Sequence, residues 1–319
     1  MIAGRTSESV SVVIGAYNAA PWIGETLDSV LAQTHRPLEV LVVDDGSTDE
    51  TANIVRSRGS RVKCITSPHR GYPQRNKGIQ ASAGEWIAFV DADDAWQPNK
   101  IERQLQTLRE RRAAWVYSDS VWLDSELGVV TSPKGPALRE GDILEALCLG
   151  NFVVASSAMV SRAVLNEVGQ FVESPEIVVG EDWDLWLRIA SRYPVACVRE
   201  PLVTLRLHAA SLMAATSMHR RVESLQYVVA RAVRRDPARL GRIHSRARSN
   251  IFFSAGIALF RQQQNDAARP YFRRSWGQTP FRLEALAYAM LAGYVPKAAA
   301  YLARRKRRPA ENRKPPEIA

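Results

Sequence analysis

Trp86-Ile87-Ala88-Phe89-Val90-Asp91-Ala92-Asp93-Asp94 is the stretch on which the reading of the fold turns. Five apolar residues of strand character lead directly into three carboxylates within four positions. A run with no polar alternation can be buried on both faces, as a strand of a parallel sheet is. The carboxylates cannot share one dry site without a cation, because like charges that close destabilise one another. An acidic cluster at the carboxyl end of a buried strand also falls where an open α/β sheet places its ligand. Taken alone, the cluster fits either a divalent metal that carries the phosphates of a nucleotide, or a turn whose Asp side chains cap the helix begun at Pro98.

The chain on either side has the matching rhythm. Val10-Ser11-Val12-Val13-Ile14 predicts a first central strand ending in Gly15-Ala16-Tyr17-Asn18. Pro21 opens a helix with Ile23, Leu27, Val30 and Leu31 on one face. Leu38 to Val43 is a second apolar strand, stopping at Asp44-Asp45-Gly46-Ser47-Thr48-Asp49, where Ser47, Thr48 or Asp49 can cap the next helix. Val62 to Ile65 gives a third strand, and a polar loop, Ser67 to Gln74, leads to a helix carrying Arg75, Asn76 and Lys77. Strands alternating with helices at this spacing predict an α/β fold with a mostly parallel sheet and helices on both faces.

Beyond the acidic cluster, Ile101, Leu105 and Leu108 face inward on one helix, and Trp115-Val116-Tyr117 is a further strand. Residues 124–141 read as loop, Asp142 to Leu149 as a helix closed by Gly150, and Phe152 to Val160 as a strand. Ser161 caps a short helix ended by Gly169. Gly180-Glu181-Asp182 precedes a helix from Trp183 to Tyr193, and Val195 to Leu207 is extended, ending at His208. From 219 onward the pattern is helical, near 219–235, 239–263, 266–276 and 281–292. Small and apolar pairs such as Ala255-Gly256, Leu259-Phe260 and Ala267-Ala268 give 219–303 the character of loose tetratricopeptide-like hairpins. Residues 304–319 are a basic, Pro-rich tail of disordered composition. The expected division is therefore 1–218, 219–303 and 304–319.

At 319 residues, 46% hydrophobic and 24% charged, the chain has the make-up of a globular protein with room for an α/β domain and a smaller one. Three cysteines in apolar stretches, with no C-x-x-C spacing, predict reduced core thiols and a cytoplasmic setting. No apolar run approaches the roughly 20 residues of a membrane span. Charge is unevenly divided. Residues 1–218 hold 21 Lys+Arg against 27 Asp+Glu, and residues 219–319 hold 22 against 6, nets of −6 and +16. The basic part is expected to meet an anionic membrane surface from the inner, cytoplasmic side, or a protein partner. Nucleic acid is not expected, because no recognition module accompanies the charge.

Asp-x-Asp occurs twice, at Asp91/Asp93 and Asp182/Asp184, and what distinguishes the first copy is its position at a strand end. Hard divalent ions prefer carboxylate oxygens and leave positions open to phosphate. Asp45 ends a neighbouring strand, where it can accept from a base or ribose, and Tyr17 can stack on a base. Arg75 and Lys77 can meet phosphates.

Six blocks come in order: Val-Val-Ile-Gly-Ala-Tyr-Asn (12–18), Val-Asp-Asp-Gly-Ser-Thr-Asp (43–49), Arg-Asn-Lys-Gly-Ile (75–79), Phe-Val-Asp-Ala-Asp-Asp (89–94), Gly-Glu-Asp (180–182) and Leu-Arg-Leu-His (205–208). Over roughly 9–215 this resembles a family 2 glycosyltransferase with a GT-A, Rossmann-like fold, here with a C-terminal all-α extension. The resemblance implies an inverting, metal-dependent hexosyltransferase-type enzyme that uses a nucleotide sugar (a UDP-, GDP- or dTDP-sugar) and Mn²⁺ or Mg²⁺. It implies that Tyr17, Asn18, Asp45, Arg75, Lys77 and Asp91 bind the nucleotide, and that Asp93 and His208 serve the metal. It makes Asp182 the catalytic base, with Glu181 and Trp183 on the acceptor side. The acceptor class it implies is a glycan or lipid-linked glycan of cell-surface polysaccharide synthesis. Gln74 departs from the small residue common before Arg-Asn. The Gln-x-x-Arg-Trp block of processive synthases is missing, so one sugar per encounter is expected. The alternative is an inactive nucleotide-binding scaffold acting through its helical part.

Overall fold

The computed structural model describes residues 8–69, 75–124, 128–131, 138–280 and 282–292. The expected Ser67 to Gln74 loop falls partly, and the 304–319 tail wholly, outside them. Two compact units divide the chain, Met1–His244 and Ser245–Ala319.

The first unit is built on a mixed sheet of β1 (Val10–Ala16), β2 (Glu39–Asp44), β3 (Val62–Thr66), β4 (Trp86–Asp91), β5 (Ala95–Trp96), β6 (Trp115–Asp124), β7 (Val129–Thr131), β8 (Met159–Ser161) and β9 (Ala196–Leu207). Its order is β3-β2-β1-β4-β8-β6-β9-β5, with β7 paired to β6. The four leading strands are mutually parallel, whereas β8 runs antiparallel to both β4 and β6. Chain order reverses direction at β1 and β4, so the loops after those two strands open a crevice at their carboxyl ends.

Side-chain alternation explains how both faces are covered. Val10, Val12, Ile14, Val40, Val42, Ala88 and Val90 point to one face and pack with α1 (Ile23–Leu31), α2 (Thr51–Arg56) and α4 (Lys100–Arg111) through Ile23, Leu27, Val55, Ile101 and Leu105. The opposite face carries α3 (Arg75–Ala81), whose Gly78 lies so close that an added Cβ would come within 2.6 Å of Val13. Phe89 on that face meets Phe171 edge-on, with ring centroids 5.1 Å apart. Trp186 of α7 (Glu181–Ala190) joins them.

Three elements differ from expectation. Within 124–141, β7 is a short strand on β6 rather than loop; three residues are too few for a periodic signal. The strand expected over 152–160 is confined to β8, because Ala155–Ser157 turn as a 3-10 helix that hydrogen-bonds the acidic cluster. α7 begins at Glu181, so Glu181 and Asp182 occupy its first turn. Between β6 and α7 lie α5 (Leu144–Leu149) and α6 (Arg162–Val168), and Ser161 caps α6 as its position suggests. After β9 come α8 (Leu212–Ala215), α9 (Met218–Arg235) and α10 (Pro237–Leu240). The helix expected over 239–263 is interrupted by a 3-10 turn at Gly241–Ile243 before α11 (His244–Arg261).

In the second unit, α12 (Asn265–Gln278) lays Phe272 over Gly256 of α11, and Ser249 bonds Ser275 at 2.9 Å. A helix over 283–292 adds Tyr288 to the ring cluster of Phe253, Phe260 and Phe272.

Candidate active site

The carboxyl ends of β1, β2 and β4 and the first turns of α3 and α7 converge on one crevice. Asp91, Asp93 and Asp94 each offer a carboxylate oxygen, all within 4.8 Å of one another. They are not equivalent. Asp94 is nearly buried and tied down: its Oδ2 accepts from Ser156 Oγ at 2.5 Å and its Oδ1 from Arg206 N at 3.0 Å. Asp93 Oδ2 meets His208 Nε2 at 2.9 Å, and the imidazole stacks on Trp22 with centroids 3.8 Å apart. Burial first, then the Asp91 charge, pushes the carboxyl of Asp93 upward, and Asp94 is raised further by burial and by both neighbours.

This donor set fits a hard divalent cation. Oxygen ligands gather at one point, where Arg75 and His208 offset only part of their repulsion and burial with the neighbouring charges still pushes Asp93 and Asp94 upward, and His208 Nδ1 is buried without a hydrogen-bond partner among the described residues. Asp91, Asp93 and Asp94 are the group that could hold Mg²⁺ or Mn²⁺, with His208 bonded to Asp93 beside them.

The nucleotide-side residues lie across β1 and β2. Tyr17 is 46% exposed and its ring stacks on His69 at 4.1 Å. His69 Nδ1 in turn meets Asp45 Oδ2 at 2.8 Å. Asn18 sits at φ 48° and is locked to the β2–α2 loop: its N–H donates to Ser47 Oγ (2.9 Å), and its Oδ1 accepts from Thr48 N (2.9 Å). Lys77 donates to Ser67 Oγ.

Arg75 has a different setting from an open phosphate contact. Its guanidinium is buried, with NH2 on Asp91 Oδ1 and NH1 on Glu181 Oε1 at 2.6 Å. The two carboxylates hold it charged, well above the usual arginine range. Next to it, Asn76 clasps the backbone of Phe171, donating at 2.9 Å and accepting at 3.0 Å. Arg75 and Asn76 therefore join the β4 end to the α7 side of the crevice.

Asp182 is half-buried at that junction. Its Oδ1 accepts from Trp183 N at 2.6 Å and its Oδ2 from Asn151 Nδ2 at 3.2 Å. A helix start alone would hold the carboxylate ionised with lowered basicity. Here burial and the adjacent Glu181 charge outweigh that, and the group is pushed up to about 7. Trp183 is 2% exposed, with its indole N–H on Leu147 O at 2.8 Å, so it packs α7 on α5 rather than lining the crevice. Asp184, the second half of the repeated Asp-x-Asp, is fully buried under Arg188, Arg231 and Arg235. Sequence reasoning missed His69, Asn151, Ser156 and Trp22. Only Asn151, directly after the helix-closing Gly150, carried a positional signal.

The model of the family described as "Glycosyl transferase family 2" matches residues 11–169. A UDP-Glc:alpha-D-GlcNAc-diphosphoundecaprenol beta-1,3-glucosyltransferase, WfaP, of Escherichia coli is 31% identical over 191 residues, covering 58% of this chain and 71% of that protein. The chain belongs to glycosyltransferase family 2. An uncharacterized glycosyltransferase of Rickettsia prowazekii is 30% identical over 210 residues, 64% of this chain and 65% of that one. A Rickettsia bellii relative, also 30% identical, is matched over 62% of this chain and only 29% of its own length. The chain thus spans from about a third to just under two thirds of these Rickettsia relatives. S. aureus TarS 1-349, solved in complex with UDP-GlcNAc, superposes with a TM-score of 0.62 at 18% identity, covering 89% of each chain. That likeness is one of fold, and the family 2 chain has the GT-A architecture with a helical C-terminal region.

Proposed function

We propose that this family 2 chain transfers a single glycosyl group, with inversion, from a nucleoside-diphosphate sugar to a hydroxyl of a lipid-linked glycan. The observation that carries the reading is the bridge at Arg75, which draws the β4 carboxylates and the Glu181-Asp182 turn to one crevice. Tyr17 and Asp45 would hold the base, Asp91 the ribose, and Asp93 with His208 the cation. A bound divalent ion would offset the charge of the departing diphosphate. Asp182 takes the proton of the acceptor hydroxyl as its oxygen bonds the anomeric carbon and the sugar–phosphate bond breaks; nucleoside diphosphate leaves. A carboxyl pushed up to about 7 suits a base that must both accept and release a proton near neutrality.

The relative WfaP is named for a diphosphoundecaprenol-linked acceptor, and TarS was solved with UDP-GlcNAc. Both names favour a UDP-sugar donor, and that of WfaP a lipid-linked acceptor, as the first choices to test. No helix among the described residues is long and apolar enough to cross a membrane, so such an acceptor would be met at a membrane surface. A screen of nucleotide sugars by nucleoside diphosphate release, with Mn²⁺ or Mg²⁺ present, tests the reading. Release that depends on the cation and on one donor is expected, and silence with every donor and either ion overturns it.

A further inference from the structure

Ser156 is fully buried, and its hydroxyl ties together both ends of the acidic turn. Its Oγ accepts from Asp91 N at 2.9 Å, where β4 stops, and donates to Asp94 Oδ2 at 2.5 Å. Asp94 N also closes on Asp91 O at 3.2 Å, so the turn is a small loop fastened across its mouth. Arg206 holds its other side, through N on Asp94 Oδ1 and Nε on Asp93 O, both at 3.0 Å. Of these two residues, only Ser156 bonds Asp91 as well as Asp94.

Ser156 is itself braced from behind. Trp96 Nε1 donates to Ser156 O at 2.8 Å, and Gln104 Nε2 donates to Ser157 O at 2.7 Å. Lys100, one turn before Gln104 on α4, donates from Nζ to Gln104 Oε1 at 2.8 Å and lies 3.9 Å from the Trp96 ring centre. Lys100 and Gln104 are fully buried, and burial pushes the lysine amine well below its usual range. Burying an amine is costly. Here it decides which end of the Gln104 amide faces the carbonyl: with Oε1 occupied, Nε2 is left for Ser157 O. The 3-10 turn is thus set against α4 on one side and against the carboxylates on the other.

We infer that Ser156 is a positioning residue, holding Asp91 and Asp94, with Asp93 between them, in the arrangement that receives the divalent cation. This role rests on the proposed function only in taking that turn as the seat of the cation beside a nucleoside diphosphate. Hydrogen-bond partners of ligating carboxylates orient them, and their loss costs about 10–100-fold in metal affinity. Mn²⁺ titration of the full chain in the presence of UDP, followed by the EPR signal of free Mn²⁺, tests the role, with thermal unfolding in EDTA as the measure of fold. Ser156→Ala should weaken Mn²⁺ binding by that factor, and Ser156→Cys by less, because a thiol donates and accepts weakly. Ser224→Ala is the control: Ser224 is also buried and also both donates and accepts, but on the Val179 backbone. It should lower the unfolding temperature and leave Mn²⁺ affinity unchanged. If Ser156→Ala fails to fold, Ser156→Cys decides, and failure of both would make the hydroxyl a folding requirement and overturn the positioning role. Unchanged Mn²⁺ affinity in a folded variant overturns it, as does an equal loss in Ser224→Ala, which would make the effect a general softening of the fold. A wild type that takes up no Mn²⁺ beside UDP overturns it too. If Mn²⁺ binding depends on Ser156 while no nucleotide sugar is turned over, the transfer reading fails and the role of Ser156 stands.

Discussion

Asp182 is the residue on which the chemistry most depends, and its environment sets a pH signature. The base works ionised. With its carboxyl pushed up to about 7, turnover should fall roughly tenfold per unit as pH drops below that value. Glu181→Gln removes the like charge beside it, so the acid limb of the rate profile should move to lower pH. An unmoved limb would count against Asp182 as the titrating group. Asp182→Asn should lower transfer by about 10²–10⁴-fold while leaving nucleotide diphosphate affinity intact, as measured by calorimetry. Asp93→Ala acts on the other partner: Mn²⁺-dependent binding of the nucleoside diphosphate should disappear, and unchanged affinity would remove Asp93 from the metal set.

Two close fits hold the elements that carry the site. Gly78 seats α3 against Val13 and Val43, and a methyl group there would meet Val13 at 2.6 Å. Gly78→Ala should therefore cost about 1–3 kcal/mol in denaturant unfolding, with overpacking outweighing the gain in helix propensity. An unchanged midpoint would mean that α3 can shift freely. α7 is fixed to α9 by Asp184, fully buried beneath three arginines. Burial alone would raise its carboxyl, but the arginines hold it below the usual range. Asp184→Ala removes the acceptor shared by the three arginines, of which Arg188 keeps the Val168, Gly169 and Gln170 carbonyls, and should cost about 1–3 kcal/mol in denaturant unfolding. Asp184, the second half of the repeated Asp-x-Asp, is thus a structural anchor, and the spacing it shares with the first copy is coincidental.

At the scale of the molecule, α9 belongs with the sheet-containing unit that ends at His244. Its Val228, Val229 and Ala232 are buried, and Ser224 bonds the Val179 backbone at 2.7 Å just ahead of α7. A chain ending at 244 should keep cooperative unfolding and donor turnover. One ending at 218 should lose both, because the α7 surface beside the site would be laid bare; an active, cooperative 1–218 fragment would refute the assignment of α9.

The amino-acid sequence by itself determined the alternation of strand and helix, the acidic strand end, the family blocks and the basic character of the second part. These are local signals: apolar periodicity, capping residues and carboxylates adjacent in the chain. Val10 to Ile14, Val40 to Val43 and Ile87 to Val90 were legible as strands because each is buried on both faces and so lacks polar alternation. β7 and the 3-10 turn at Ala155–Ser157 were not, since their form depends on partners far away in the chain. The tertiary structure alone decided that Arg75 links Asp91 to Glu181, that His69 lies under Tyr17, and that Trp183 packs inward. It also separated Asp182 from Asp184. Two carboxylates two residues apart on one helix point in different directions: one is half-buried at the crevice with its proton affinity raised, and the other is buried under arginine. Periodicity records that they differ in facing, but only the packing of α9 and Asn151 around them gives each its charge state and its role.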